Sequence, residues 1–348
     1  MQTVRFLLIG LGNLGRRLCE VLVEKDTSLR QRYGLDLRLV GAADSRGAAY
    51  DPVQGLDLGK VADLKRSGGT IADYPDAGRR GWGAPDLVAT AEADLLLEAS
   101  PVNLDQGAEP GLTNIRTALR RGMHAVTPNK GPLVLAYQEL HDLAAAQGVQ
   151  LRFDGTVAGG LPALNIGQRD MRGAVIHRLE AVPNLSTGYV MDLLADGLSW
   201  DEAMDRARQT GALEGDGSWD LEGWDAASKL VILANAVLDH PARMEDVALT
   251  GVRGLSLDAL RSARERGERY RLLTQAERES DGTYILSVAP VPLSPDHPLG
   301  RLGRKQMGVA FFTDIYGTIT AIIDEPSPVP SAATMLRDVI DIYVARDA

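Results

Sequence analysis

The chain has 348 residues, of which 45% are hydrophobic and 24% charged, a composition typical of a globular protein with length for two domains. Its formal net charge of −10 argues against a nucleic-acid partner, and no apolar run reaches the length needed to span a membrane. The single cysteine, Cys19, excludes a disulfide framework and fits a cytoplasmic protein. Because it lies inside a predicted helix, it also argues against chemistry that needs a reactive thiol.

A glycine fingerprint follows the first predicted strand, at residues 4–9. Apolar residues at helical spacing come next, and this strand–turn–helix setting distinguishes a dinucleotide-binding turn from an ordinary one. The glycines would permit a tight turn, close approach of a pyrophosphate, and packing of the helix on the strand. The predicted nucleotide ligands in this turn are Gly10, Gly12, Asn13, Leu14 and Gly15.

The second predicted strand, at residues 37–43, bears on which nucleotide is expected. It ends in Asp44, which would bind an NAD ribose hydroxyl and repel a 2′-phosphate. A polar insert at 26–36 accounts for the long spacing between the fingerprint and this carboxylate. Arg46 would instead hold the 2′-phosphate of NADP, so NAD and NADP both stay open.

A loop-rich insert at 45–86 is followed by alternating strands and helices up to residue 153. This alternation predicts an α/β domain over 1–153 with a Rossmann-type, doubly wound parallel sheet. Two predicted strands end in polar residues at the carboxyl edge, where such sheets bind ligands. Ser100 follows one strand, and the two interpretations of its position are that it lines the nicotinamide or that it lies in a plain strand-ending turn. Lys130 follows the next strand, between two prolines, and is interpreted either as a cofactor-binding residue at the sheet edge or as a loop lysine in solvent.

From about residue 154 the pattern predicts an α+β domain, extending to residue 330. Its helices are expected near 200–210 and 221–238. The C-terminal helix, within 331–348, is expected to pack back on the first domain. The strand candidates lie at 175–182, 269–277, 284–288 and 309–323.

A polar loop with several carboxylates leads into a helix that is apolar on nearly every side, which indicates a buried helix. Asp225 and Lys229 lie four residues apart on its first turns, so their side chains meet on one face. The next turn on that face is apolar, and charges are rarely placed there without a task. The pair is therefore interpreted as functional rather than as a surface ion pair.

The glycine-rich stretch 154–162 is interpreted as a bend that presents main-chain carbonyls. Carbonyls together with the carboxylate of Asp154 suit a hard cation such as Na⁺ or Ca²⁺. A tight turn between domains, without a metal, is the alternative.

Taken in order, these blocks resemble homoserine dehydrogenase in its short form, which lacks a regulatory domain, over residues 4–345. The more specific signals are the block containing Asn129 and Lys130 and the Asp-x-x-x-Lys block. The resemblance implies NAD(P)-dependent interconversion of L-homoserine and L-aspartate 4-semialdehyde, in threonine and methionine biosynthesis. It also implies a homodimer built through the sheet of the second domain.

The resemblance also implies roles for individual residues. Lys229 and Lys130 would be the two candidate proton-transfer groups. Glu214 and Asp225 would bind the substrate, with Asp220 assisting. A monovalent cation would be bound by Asp154 and the carbonyls of Val157, Gly159 and Leu161.

Several positions depart from the family pattern, and three of them, Leu185, Gly188 and Ala212, bear on the substrate. They favour an alternative in which the substrate is another small amino acid or hydroxy acid. A non-catalytic NAD(P)-binding sensor is the other alternative, disfavoured because both lysines and the carboxylate loop occur together.

Overall fold

The computed structural model describes residues 1–213 and 215–344, which form two compact units. The first unit is Met1–Gly160 together with the segment from Ser327 onward, and the second is Leu161–Pro326. The first unit extends past residue 153 because the C-terminal helix packs against the turn at 154–159. Among the described residues, no helix combines the length and the apolar character that crossing a membrane requires.

The first unit is a three-layer α/β structure in which helices cover a seven-stranded sheet. Its strands are β1 (Gln2–Ile9), β2 (Leu35–Asp44), β3 (Gly47–Tyr50), β4 (Gly78–Arg79), β5 (Leu95–Glu98), β6 (His124–Val126) and β7 (Leu151–Arg152). Its helices are α1 (Asn13–Tyr33), α2 (Leu58–Arg66), α3 (Ala84–Thr90), α4 (Gly111–Arg120), α5 (Lys130–Gln147) and α12 (Val329–Tyr343).

The strand order is β4-β3-β2-β1-β5-β6-β7, parallel from β2 to β7, with β3 and β4 added antiparallel at one edge. This confirms the predicted doubly wound sheet. The chain leaves β1 towards β2 and later crosses back to β5, so the order reverses between β1 and β5. The carboxyl ends of these two strands are the switch point at which open α/β sheets bind ligands.

The core of the first unit explains two differences from the predicted elements. Helix α1 runs through most of the polar stretch at 26–36 and ends at Gly34, whose left-handed φ of 66° caps it. Its apolar side packs with Met335 and Val339 of α12, and this tertiary packing stabilises the long helix. The insert 45–86 is loop-rich as predicted, but it also contains β3, α2 and β4.

The second unit pairs one mixed sheet with a layer of helices, as the α+β prediction required. Its strands are β8 (Ile176–Val182), β9 (Val247–Leu249), β10 (Arg269–Arg278), β11 (Tyr284–Leu293), β12 (Gln306–Thr313) and β13 (Thr318–Asp324). Its helices are α6 (Ala163–Asn165), α7 (Leu185–Ala195), α8 (Trp200–Gln209), α9 (Ser218–Leu221), α10 (Trp224–Val237) and α11 (Leu257–Glu265). The strand order is β13-β12-β8-β10-β11-β9, and only β9 and β11 pair in parallel.

The single strand expected at 309–323 is instead the hairpin of β12 and β13. Gly317, at a φ of 67°, turns the chain between them. The turn itself contains Ile315 and Tyr316, and these apolar residues hide it from a periodicity argument.

A buried ion pair attaches α7 to the sheet of the second unit. Arg271 of β10 is 2% exposed, and its Nη1 lies 2.9 Å from Oδ1 of Asp192 in α7. Gly188 faces the Arg271 side chain, since a Cβ placed there would lie 3.7 Å from its Cδ. Packing of α7 on Arg271 therefore accounts for a small residue at position 188.

Candidate active site

The three glycines of the fingerprint turn are required for different reasons. A Cβ on Gly10, whose φ is 88°, would lie 2.2 Å from the carbonyl oxygen of Ala99 after β5. A Cβ on Gly15 would lie 2.0 Å from the carbonyl oxygen of Gly10. A Cβ on Gly12 would meet nothing within 4 Å. The protein's own packing thus explains Gly10 and Gly15, whereas the open space at Gly12 suits close approach of a ligand.

The N-terminus of α1 is prepared for an anion. Its cap residue is Gly12, which has no side chain to accept hydrogen bonds from the first turn, and that turn has no acidic residue. Asn13 and Leu14 are the first two helical residues, so their main-chain N–H groups have no partner within the helix. The positive end of the helix dipole points the same way, as in phosphate sites at helix N-termini.

The carboxylate of Asp44, at the end of β2, is hydrogen-bonded to other groups of the protein. Its Oδ1 accepts hydrogen bonds from Arg46 N and Thr70 Oγ1, both at 2.9 Å. Its Oδ2 accepts from Lys65 Nζ at 2.5 Å and from Ile71 N at 3.0 Å. Burial opposes ionisation, but these hydrogen bonds, led by that of Lys65, lower the pKa of Asp44 below its usual value. Four accepted hydrogen bonds fill the capacity of a carboxylate.

Two cations accompany Asp44 at this edge of the sheet. The exposed Arg46 donates from Nη2 to the carbonyl oxygens of Gly68 at 3.0 Å and Gly69 at 2.6 Å. Lys65 Nζ also donates to Gly69 O, at 3.0 Å. Sequence reasoning identified Arg46 but missed Lys65, which lies in the last turn of α2, 21 residues after Asp44. No local spacing in the sequence links it to the fingerprint.

A buried carboxyl group connects the ends of β5 and β6. Glu98 is fully buried, and its Oε1 accepts a hydrogen bond from Ser100 N at 3.1 Å. Its Oε2 lies 3.3 Å from Thr127 Oγ1 and 3.4 Å from Asn129 Nδ2. Burial raises the pKa of the Glu98 carboxyl, against the effect of these neutral donors. Ser100 and the residues after β6 are thereby fixed at the switch-point edge that carries the glycine turn.

Lys130 is the first residue of α5, an unusual place for a lysine. Asn129 caps this helix, because its Oδ1 accepts a hydrogen bond from Gly131 N at 3.1 Å. Cations are unfavourable at a helix N-terminus, where the dipole and the unpaired N–H groups attract negative charge. A half-buried lysine at this position indicates a task other than stabilising the helix.

In the second unit, Lys229 lies in a tight polar cluster on α10. Its Nζ is 2.9 Å from Asp225 Oδ2, and it donates to Pro183 O at 2.7 Å and to Asn184 Oδ1 at 3.1 Å. The side chains of Lys229 and Asp225 are 12% and 11% exposed. The predicted i, i+4 pair is therefore present and nearly buried. The buried residues 230–234 that follow it on α10 exclude water from one side.

Asn184 completes this cluster and was not selected from the sequence. Its Nδ2 donates to Asp225 Oδ2 at 2.6 Å while its Oδ1 accepts from Lys229. Asn184 occupies the cap position of α7 yet makes no capping hydrogen bond with its side chain. Asparagine at a cap normally stabilises the helix that way. Using the amide on Asp225 and Lys229 instead marks it as part of the site.

The structure describes most residues of the loop before α10, in which the sequence places several carboxylates. Asp220 lies half-buried in the short helix α9, and Glu214 lies outside the described residues. Leu185 directly follows Asn184, so that departure from the family pattern adjoins the Lys229 cluster. Ala212 is half-buried before the loop. The substrate-binding roles of these carboxylates stay predictions.

The turn containing Asp154 is held by α12. Asp154 is 4% exposed, and an oxygen of its carboxylate accepts a hydrogen bond from Arg337. Its main-chain N–H donates to Asp338 Oδ2 at 3.1 Å, and Thr334 Oγ1 donates to Gly159 O at 3.1 Å. Val157 lies in the same turn, whereas Leu161 begins the second unit. The described residues contain no group of three or more His, Cys, Asp or Glu side chains arranged to bind a metal ion.

Two features indicate the class of protein. They are the helix N-terminus at the switch point of the first unit, which suits a phosphate, and the nearly buried Lys229 cluster of the second unit. This is a two-domain, NAD(P)-dependent oxidoreductase with a Rossmann-type nucleotide-binding unit. Family models agree in both halves: the homoserine dehydrogenase model matches residues 162–340, and the homoserine dehydrogenase NAD-binding domain model matches residues 10–154. The chain belongs to the homoserine dehydrogenase family.

Individual proteins show the same relationship along nearly the whole chain. A homoserine dehydrogenase of Methanocaldococcus jannaschii is 33% identical, over 97% of this chain and 98% of that relative. An NAD(+)-dependent homoserine dehydrogenase of Pseudomonas canavaninivorans is 32% identical, over 99% of this chain and 97% of the relative. The solved structure of a hyperthermophilic archaeal homoserine dehydrogenase in complex with NADPH has a TM-score of 0.84 at 26% identity, covering 98% of each chain.

Proposed function

We propose that this protein interconverts L-homoserine and L-aspartate 4-semialdehyde, with NAD(P) as the hydride carrier. The observation that carries the proposal is the Lys229 cluster, a nearly buried lysine held by a carboxylate, an amide and a main-chain carbonyl. Such an arrangement belongs to acid–base chemistry more readily than to fold stability, since a buried ion pair contributes little net stabilisation. Membership of the homoserine dehydrogenase family agrees with it.

Oxidation of the alcohol requires the transfer of a hydride and the transfer of a proton. When bound, the nicotinamide accepts the hydride from the alcohol carbon, and this chain must take the hydroxyl proton. Lys229 is the proposed proton acceptor in oxidation and donor in reduction, with Asp225 and Asn184 fixing its Nζ. Lys130, set by its cap residue Asn129, is the proposed second group, polarising the reacting oxygen or moving the proton itself.

The substrate has a charged ammonium group, which carboxylates bind through charge-assisted hydrogen bonds. Asp225 and Asp220 are described in the structure, and Glu214 completes the proposed set. Because Asp225 also contacts Lys229, the residue that grips the substrate would orient the proton-transfer group as well. Leu185, next to Asn184, is the specific feature that favours the second candidate, a dehydrogenase of another small amino or hydroxy acid.

For the nucleotide, we propose that both NAD and NADP bind through Gly10, Gly12, Asn13, Leu14, Gly15, Ser100 and Lys130. The carboxylate of Asp44 already accepts four hydrogen bonds, which disfavours the predicted direct contact with a ribose hydroxyl. Arg46 and Lys65 are suited to a 2′-phosphate. One relative is described as NAD(+)-dependent and another structure holds NADPH, so both cofactors occur among related proteins.

We also propose that the protein is a cytoplasmic homodimer. In the second unit, α7 and α10 cover one face of the sheet. On the other face, Ile285 of β11 and Ile322 of β13 are 56% and 47% exposed. The strand register places Ile285 in one row with Glu277, Arg178, Phe312 and Thr318, and Ile322 is on the same face four residues beyond Thr318. A second copy of this face would cover the exposed isoleucines.

A spectrophotometric assay tests the activity. Purified protein is mixed with L-homoserine and either NAD⁺ or NADP⁺ at alkaline pH, where alcohol oxidation is favoured, and absorbance is followed at 340 nm. We expect reduced nucleotide to appear with homoserine and much more slowly with L-serine, L-threonine or 2-hydroxy acids. Turnover only with one of those compounds would establish the second candidate. Nucleotide binding without turnover of any of them would indicate a sensor.

A further inference from the structure

The turn at 154–159 was expected to bind a monovalent cation, and in the structure helix α12 contacts it with three side chains. Thr334, Arg337 and Asp338 are spaced three and four residues apart, so they lie on one face of the helix. Arg337 donates to the Asp154 carboxylate, and Asp338 accepts from the Asp154 main-chain N–H. Thr334 donates to the carbonyl of Gly159. The helix thus contacts both ends of the turn.

A cation at this turn would have to share the predicted donors with α12. Two of the four predicted ligand atoms, a carboxylate oxygen of Asp154 and the carbonyl oxygen of Gly159, already accept hydrogen bonds from α12. An ion coordinated to that carboxylate oxygen would lie within a few ångströms of the guanidinium of Arg337. The two positive charges would repel each other beside a carboxylate that is 4% exposed. The donor set therefore does not fit a monovalent cation while Arg337 is in place.

The negative charge of the buried Asp154 carboxylate must be balanced by a nearby positive charge. Its side chain is 4% exposed, and a carboxylate removed from water is costly unless it is paired and hydrogen-bonded. Arg337 supplies the pairing and stays charged at any physiological pH. A guanidinium also binds through directed N–H groups, so it fixes orientation as well as charge.

We infer that Arg337 is a built-in replacement for a metal ion at the Asp154 turn. Its guanidinium neutralises Asp154 and holds the turn against α12, and the protein needs no Na⁺ or K⁺ there. Arg337 is thus a positioning residue, acting on the turn between β7 and the second unit. The inference does not depend on which substrate the enzyme turns over.

The first test uses the unmodified protein. Thermal unfolding midpoints are measured in NaCl, KCl and choline chloride at equal ionic strength, and bound Na⁺ is sought by ²³Na NMR line broadening. We expect the same midpoint in all three salts and no protein-dependent broadening beyond that of a charge-matched protein. A saturable stabilisation by Na⁺ or K⁺ over choline would overturn the inference, whatever the activity assay shows.

The second test removes the guanidinium. Arg337→Met keeps an aliphatic side chain but removes the guanidinium that pairs with Asp154, so we expect a lower midpoint in choline chloride that NaCl or KCl partly restores. Arg337→Lys should keep the wild-type indifference to salt type. The matched control is Arg116→Met, which removes an ion-paired arginine of similar exposure, 30% against 34% for Arg337.

The outcomes separate cleanly. A selective response of Arg337→Met to Na⁺ or K⁺, absent from Arg116→Met, supports the inference. A folded Arg337→Met protein that responds no differently from the control would overturn it. If Arg337→Met does not fold in choline chloride, expression and refolding in NaCl against choline chloride gives the same comparison. The salt series on the unmodified protein decides the matter independently of any variant.

Discussion

At the scale of single residues, Lys229 and Asp225 combine two effects that an experiment must separate. Removing one partner of a nearly buried ion pair leaves the other charge uncompensated, which typically costs about 3–5 kcal/mol of stability. Loss of a proton-transfer group instead lowers the rate while the fold persists. Kinetics on Lys229 variants therefore have meaning only beside an unfolding measurement.

For Lys229→Ala we expect kcat to fall by about 10²- to 10⁴-fold, the usual contribution of a general acid or base. Affinity for the nucleotide, measured by fluorescence titration, should stay near that of the parent. Asp225→Asn should mainly raise KM if Asp225 only grips the substrate, and should lower kcat if it also orients Lys229. Lys130→Ala should lower kcat over the same range.

The control for these variants is Lys25→Ala, which removes an exposed lysine paired with Glu24 in α1. It should leave both kcat and KM unchanged. A folded Lys229→Ala protein with kcat within a few-fold of the parent would show that the cluster is a structural ion pair.

Arg46 gives a second prediction at this scale. Hydrogen bonds to charged groups are worth about 1.5–3 kcal/mol, so loss of a phosphate contact should raise KM by roughly ten- to a hundredfold. We expect Arg46→Ala to raise KM for NADP⁺ by that factor and to leave KM for NAD⁺ nearly unchanged. Arg38→Ala, an exposed arginine of β2 paired with Asp36, is the control. Equal losses with both nucleotides would mean that Arg46 does not recognise the phosphate.

At the scale of elements, Glu98 joins β5 to β6 and, through Asn129, to the start of α5. Its hydrogen bonds fix Ser100 and the loop that presents Lys130, so the geometry of this edge depends on one buried carboxyl. Burial raises its pKa above the ordinary value of 4.5. An acid with a raised pKa in the folded state contributes stability that is complete below its unfolded pKa and is lost as pH rises through its folded pKa.

Glu98→Gln removes this titration while keeping a hydrogen-bonding side chain. We expect the free energy of unfolding of Glu98→Gln, relative to the parent, to be constant below about pH 4 and to increase above it. The increase should not exceed about 1.4 kcal/mol per pH unit, the limit for one proton. Urea denaturation at several pH values measures it. The exposed Glu92→Gln should show no such trend, and a flat difference for Glu98→Gln would contradict the assigned direction.

At the scale of the whole molecule, the open sheet face of the second unit carries the dimer proposal. Ile322→Asp places a charge among residues that a second copy would bury, so we expect a monomer, or a dimer weakened by at least tenfold. Light scattering coupled to size-exclusion chromatography over a range of concentrations measures this. Val53→Asp, at an 83% exposed position of the first unit, should leave the assembly unchanged. A parent protein that is monomeric in this measurement would contradict the dimer proposal.

The sequence by itself determined those features of the fold and the site that depend on residues close together in the chain. The strand–glycine–helix order identified the nucleotide-binding turn, because the strand, the glycines and the helix follow one another directly in the sequence. The spacing of Asp225 and Lys229 identified their pair, because helical geometry brings residues four apart together. The alternation of apolar strands and helices identified the doubly wound sheet.

Tertiary structure alone decided the partners that come from distant parts of the chain. Asn184 reaches Lys229 across 45 residues, Lys65 reaches Asp44 across 21, and Arg337 reaches Asp154 across 183. A hydrogen bond depends on where two side chains lie in space, and no periodicity in the sequence records that position. The sequence therefore singled out these carboxylates as candidates, while only the fold showed that Asp44 and Asp154 are already bound by cations from the chain itself.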